Sequence, residues 1–90
     1  TPSSYELTIQ NYPNPFNNQT FIQYTIPKNE FIKLTMYDIL GREIETLVNE
    51  VQTQGKHSIP WQAKGLSSGV YFAVLKYQNK IATQKIIYQK

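Results

Sequence analysis

A chain of 90 residues with 40% hydrophobic and 13% aromatic side chains is one small folded domain, too apolar for intrinsic disorder and too short for a second core. The absence of cysteine excludes a disulfide framework, a thiolate metal site and a cysteine nucleophile. The net charge of +3 comes from lysines spread along the chain, with one arginine and no cationic run, so it lacks the clustering that nucleic acid requires and reads as a solvated surface that keeps strand edges from pairing.

No apolar run approaches the ~18 residues of a membrane span. Thr1-Pro2-Ser3-Ser4 reads as the end of a linker, which makes residues 5–90 the domain and the chain a piece of a longer protein. A first short strand is predicted at Tyr5–Ile9. Tyr12-Pro13-Asn14-Pro15-Phe16 follows, and its two prolines, one residue apart, fix φ near −65° and remove two N–H donors. This segment is predicted to be a stiff, extended clamp, neither helix nor central strand, with Tyr12 and Phe16 as aromatic pins on either side.

Six further strands are predicted at regular spacing: Thr20–Ile26, Phe31–Asp38, Glu43–Val48, Lys56–Gln62, Val70–Tyr77 and Ile81–Tyr88. Pro27-Lys28-Asn29-Glu30, Asp38-Ile39-Leu40-Gly41-Arg42 and Gln78-Asn79-Lys80 supply turn chemistry between them. The stretch Arg42–Gln54 loosely fits a helix through Ile44, Leu47, Val48 and Val51, but Gly41 before it favours a hairpin, followed here by an irregular loop. About seven strands without a convincing helix predict an all-β, immunoglobulin-like antiparallel sandwich. Period-two alternation assigns Ile22, Tyr24 and Ile26, then Ile32, Leu34 and Met36, then His57, Ile59 and Trp61, then Tyr71, Ala73 and Leu75 to the core. The lone tryptophan is expected at its centre, with its indole N–H on a buried acceptor.

Chemistry is sparse. His57 is the single histidine, shares a strand face with Ile59 and Trp61, and is read as a structural residue hydrogen-bonded at the core margin. Asp38, before a tight turn, is read as an acceptor for the turn's backbone N–H groups. Gly41, Gly55, Gly65 and Gly69 make no phosphate-binding fingerprint and are turn residues. The chain is therefore read as no enzyme, with no catalytic residue, metal or cofactor.

Three segments taken in order are more specific than any one alone: Leu7 to Asn17, Leu34 to Ile44, and Gly65 to Leu75 with the tail Thr83-Gln84-Lys85-Ile86-Ile87. Together they resemble the type A C-terminal sorting domain of type IX secretion substrates. The chain is also similar to the immunoglobulin-like domain of flagellar hook-capping proteins, which shares the Tyr-Pro-Asn-Pro-Phe lead-in. The resemblance covers nearly everything from Leu7 to Lys90. It implies a non-catalytic signal that carries an N-terminal cargo domain through the periplasm to an outer-membrane translocon, with later removal by a sortase-like peptidase and a secreted or cell-surface destination. Its sorting motifs map onto Pro13, Asn14 and Pro15, onto Gly41, and onto Gly69, Tyr71 and Lys85. Asn18 departs from the pattern, since many members carry another proline there. The Asn18-Gln19-Thr20 sequon is read as chance in a bacterial chain. An open edge strand would also offer a weak homodimer contact.

The alternative from another class is a carbohydrate-binding or other accessory sandwich module of a secreted enzyme. Seven tyrosines, four phenylalanines and Trp61 supply the material for an aromatic platform. Phe21, Phe72 and Tyr37 are the outward candidates for such a patch, although an exposed apolar patch fits protein docking equally well.

Overall fold

The computed structural model describes residues 6–90. The linker expected at Thr1–Ser4 and the first residue of the strand expected at Tyr5–Ile9 lie outside them. The described residues form seven strands and no helix: β1 (Thr8–Tyr12), β2 (Gln19–Ile26), β3 (Glu30–Asp38), β4 (Glu43–Gln52), β5 (Gly55–Gln62), β6 (Gly69–Tyr77) and β7 (Lys80–Tyr88). They pack as two antiparallel sheets, ordered β1-β2-β5 and β4-β3-β6-β7. Residues that alternate along β2, β3 and β6 fill the space between, with Ile22, Ile26, Ile32, Leu34, Met36, Ala73 and Leu75 fully buried.

Four expectations need correction. The first strand lies three residues later than predicted and runs up to the first proline, because Asn11 and Tyr12 still pair with Ile22 and Phe21. The strand predicted at Glu43–Val48 continues to Gln52, with no irregular loop after Val48. Its pairing with β3 slips between Leu34 and Thr35 and again between Met36 and Tyr37, leaving Leu47 and Ile44 as extra residues on β4. Each bulge resets the alternation, so Ile44, Leu47 and Val48 all pack against the core. Two bulges in a strand thus produce the spacing that imitates a helix. On β5 only Trp61 of the expected inward trio is buried, while His57 and Ile59 are half-buried. β5 is an edge strand, which also explains how it tolerates Pro60 opposite Phe21. Finally, Trp61 does not occupy the centre, which the aliphatics of β2, β3 and β6 hold. It sits at one end of the sandwich, and its acceptor is the carboxylate of the exposed Glu45 across the gap between β5 and β4, 3.2 Å away.

The turns follow their chemistry. Gly41 N–H donates to the Asp38 carbonyl at 3.0 Å, and Gly41 adopts φ +82°, closing the four-residue hairpin loop between β3 and β4 in a conformation that favours glycine. Asp38 is the acceptor predicted: its Oδ1 takes the N–H groups of Leu40 and Arg42, each at 2.9 Å, and its Oδ2 takes Arg42 Nε at 2.8 Å. The Arg42 backbone N–H is the largest influence holding the Asp38 carboxyl below the usual carboxylate range. His57 lies at the margin as expected, with Nε2 2.7 Å from the Thr53 carbonyl and its ring stacked on Tyr24. Burial, then the charge of Glu50, pushes the Tyr24 phenol up to about 12.

Candidate functional site

The clamp leaves β1 at Tyr12, crosses from the three-stranded sheet to the four-stranded one, and returns to β2. Both of its X–Pro bonds, Tyr12–Pro13 and Asn14–Pro15, are cis. Between the prolines, Asn14 presents its carboxamide to the outer edge of β7 as a neighbouring peptide group would. Nδ2 donates to the Lys85 carbonyl at 3.1 Å, and Oδ1 accepts the Ile87 N–H at 3.0 Å. Two residues later the backbone takes over: Phe16 N–H donates to the Ile87 carbonyl at 3.0 Å, and Gln89 N–H donates to the Phe16 carbonyl at 2.7 Å. Phe16 and Tyr88 thereby form a parallel bridge. The edge of β7 is sealed from Lys85 to Gln89 by one side chain and one residue of main chain. Residues of like parity nearer the hairpin, Ile81 and Thr83, face the same edge and take no such partner among the described residues.

Behind the seam lies a polar network at inward positions. The Thr20 hydroxyl donates to the Pro13 carbonyl at 2.8 Å and accepts Asn11 Nδ2 at 3.1 Å. Asn11 Oδ1 accepts Gln84 Nε2 at 2.8 Å, so the network spans from β1 and β2 to β7. Thr20 is fully buried and Asn11 nearly so, and no buried side-chain N or O among the described residues lacks a partner. Beside it the Phe16 ring stacks on Tyr88 at 5.0 Å and meets Trp61 at 5.7 Å, and Trp61 meets Tyr71 edge-on at 5.9 Å. The Tyr71 hydroxyl donates to the Ser67 carbonyl at 2.6 Å. Phe16 pins the clamp as expected. Tyr12 does not: it is 74% exposed, since its position on β1 points away from the core.

Four of the seven motif positions, Pro13, Asn14, Pro15 and Lys85, converge on this seam. Tyr71 joins through the aromatic cluster and through its pairing with Ile86, and Gly69 pairs with Tyr88 at the end of the same strand. Gly41 stands apart at the β3–β4 hairpin tip. The reading of the sequence missed Asn11, Thr20 and Gln84. Their signal was parity: each continues the inward set of its strand (Leu7 and Ile9; Ile22 and Tyr24; Ala82 and Ile86) with a polar side chain.

The aromatic patch proposed from Phe21, Phe72 and Tyr37 is divided. Phe21 pairs with Tyr12 and Pro60 on the outer face of the three-stranded sheet, whereas Tyr37 and Phe72 pair with each other on the four-stranded one. The sequence matches the family described as secretion system C-terminal sorting domain over residues 10–89. No curated protein and no solved structure matches the chain.

Proposed function

Because the chain belongs to the C-terminal sorting domains of type IX secretion, a family matched over residues 10–89, we propose that it is the export signal of a longer secreted protein and that an outer-membrane translocon reads it. That family match carries the proposal. The geometry supports a location for the signal: the Pro13-Asn14-Pro15 clamp and Lys85, 70 or more residues apart in sequence, form one surface feature held by the Asn14 carboxamide. A signal of this kind is read only from a folded domain, since unfolding separates its two halves. Cargo joins through the N-terminal side, close to the clamp, and a sortase-like peptidase acts after translocation.

The test is a fusion of this domain behind a signal peptide and a folded reporter, in a host with type IX secretion. The intact fusion is expected at the cell surface or in the medium, and the reporter alone in the periplasm. A reporter that leaves the periplasm equally well without the domain would refute the export role.

A further inference from the structure

The outer face of the four-stranded sheet carries two rows that do not suit a face left in water. In one, Tyr37 of β3, Phe72 of β6 and Lys85 of β7 stand side by side; in the other, Lys33, Lys76 and Ile81 do. Tyr37, Phe72 and Val74 are half-buried in a shallow hollow of about 410 Å³, bordered by Ile39 and Ile81, which are 66% and 63% exposed. Lys33 and Lys76 are directly opposite each other, a destabilising arrangement of like charges. Among the described residues the one ion pair joins Arg42 to Asp38, so neither lysine is neutralised and Asp38 is already engaged. Glu43, opposite Tyr37, is the remaining acid beside these rows. Protection of sheet edges, the usual reason for lysine on a strand, does not apply, because β3 and β6 are the two central strands.

We propose that this face docks an acidic protein surface, with a projecting apolar side chain of the partner entering the hollow over Tyr37 and Phe72 and its carboxylates meeting Lys33 and Lys76. The placement of charge distinguishes the partner from a bilayer. Asp38 lines the hollow and Glu43 stands opposite Tyr37, so the face is acidic at one end and basic at the other. This suits a protein whose carboxylates sit locally over Lys33 and Lys76, whereas an anionic bilayer presents its charge across the whole face. The inference rests on the export reading and names the chemistry of what reads the domain.

Lys33→Glu separates docking from stability. Opposite Lys76 it replaces a repulsive cross-strand pair with an attractive one, so Tm is expected to rise, by about 1–5 °C. Export of the reporter fusion is expected to fall at least ~10-fold, the loss that follows from setting a like charge against a docked carboxylate. Lys33→Arg with Lys76→Arg should export like the wild type. If Lys33→Glu exports normally while the reporter lacking the domain stays in the periplasm, the docking face is wrong and the export reading stands. If the reporter lacking the domain is exported, both fall. Purified domain mixed with phosphatidylglycerol vesicles supplies the remaining arm: no co-sedimentation is expected, and wild-type binding that Lys33→Glu abolishes would assign the face to a membrane instead.

Discussion

Asn14 offers the sharpest perturbation, because a single side chain takes the place of a strand. Asn14→Ala removes two hydrogen bonds, one to the Lys85 carbonyl and one from the Ile87 N–H, and both are exposed to solvent. Water replaces part of each, so the low part of the usual range applies and the two together contribute about 1–2 kcal/mol. For a domain of this size that lowers Tm by roughly 4–16 °C. The equilibrium loss is measured by urea unfolding at neutral pH. Native-state amide exchange then locates it: Ile87 N–H should lose protection, while Gln89 N–H, held by the Phe16 carbonyl, should keep most of its own. Asn14→Asp sharpens the argument. It retains the acceptor for Ile87 but sets a carboxylate oxygen against the Lys85 carbonyl, which raises the aspartate's folded-state pKa above its unfolded value. At neutral pH the variant is therefore destabilised relative to the wild type, and it recovers as falling pH protonates the new side chain and restores a donor. Unchanged Ile87 exchange in Asn14→Ala would mean that the carboxamide does not close the edge of β7, and the seam would lose its chemical basis.

Two further outcomes are expected. Gln78 is the first residue of the two-residue β6–β7 turn and holds φ +55°. Gln78→Gly relieves left-handed strain of about 1–2 kcal/mol while adding chain entropy that costs about 0.5–1, so a net rise in stability is expected, and a lower Tm would count against the strain argument. Stability should also fall at both ends of the pH scale. Asp38 has a depressed folded pKa, so its contribution is present above the unfolded value of about 3.9 and is lost as pH falls through the folded one. Tyr24 has a raised pKa, so its contribution is complete below about 10 and is lost as pH rises through about 12. Asp38→Asn should flatten the acid limb and Tyr24→Phe the alkaline one, each judged by unfolding midpoints compared with the wild type across pH. Parallel curves for variant and wild type would refute the assignment.

Local chemistry alone decided the strands and most of the core. Alternation in β2, β3 and β6 is set by the two-residue repeat of a pleated chain with one face buried, and Ile22, Leu34 and Leu75 obeyed it. The turn at Asp38–Arg42 was legible for the same reason: its acceptor, donors and glycine lie within five residues. Bulges and long-range pairing were not legible. Pro60, next to Ile59, marks β5 as an edge strand without a second neighbour, a signal that alternation alone passes over, whereas the bulges at Ile44 and Leu47 depend on β3 across the sheet. The motif residues were visible as separate segments, but only the packing of the two sheets brings Asn14 against Lys85 and Ile87. Hydrogen bonds between residues more than 70 positions apart leave no local pattern, because their geometry is set by where the whole chain folds rather than by what stands beside them.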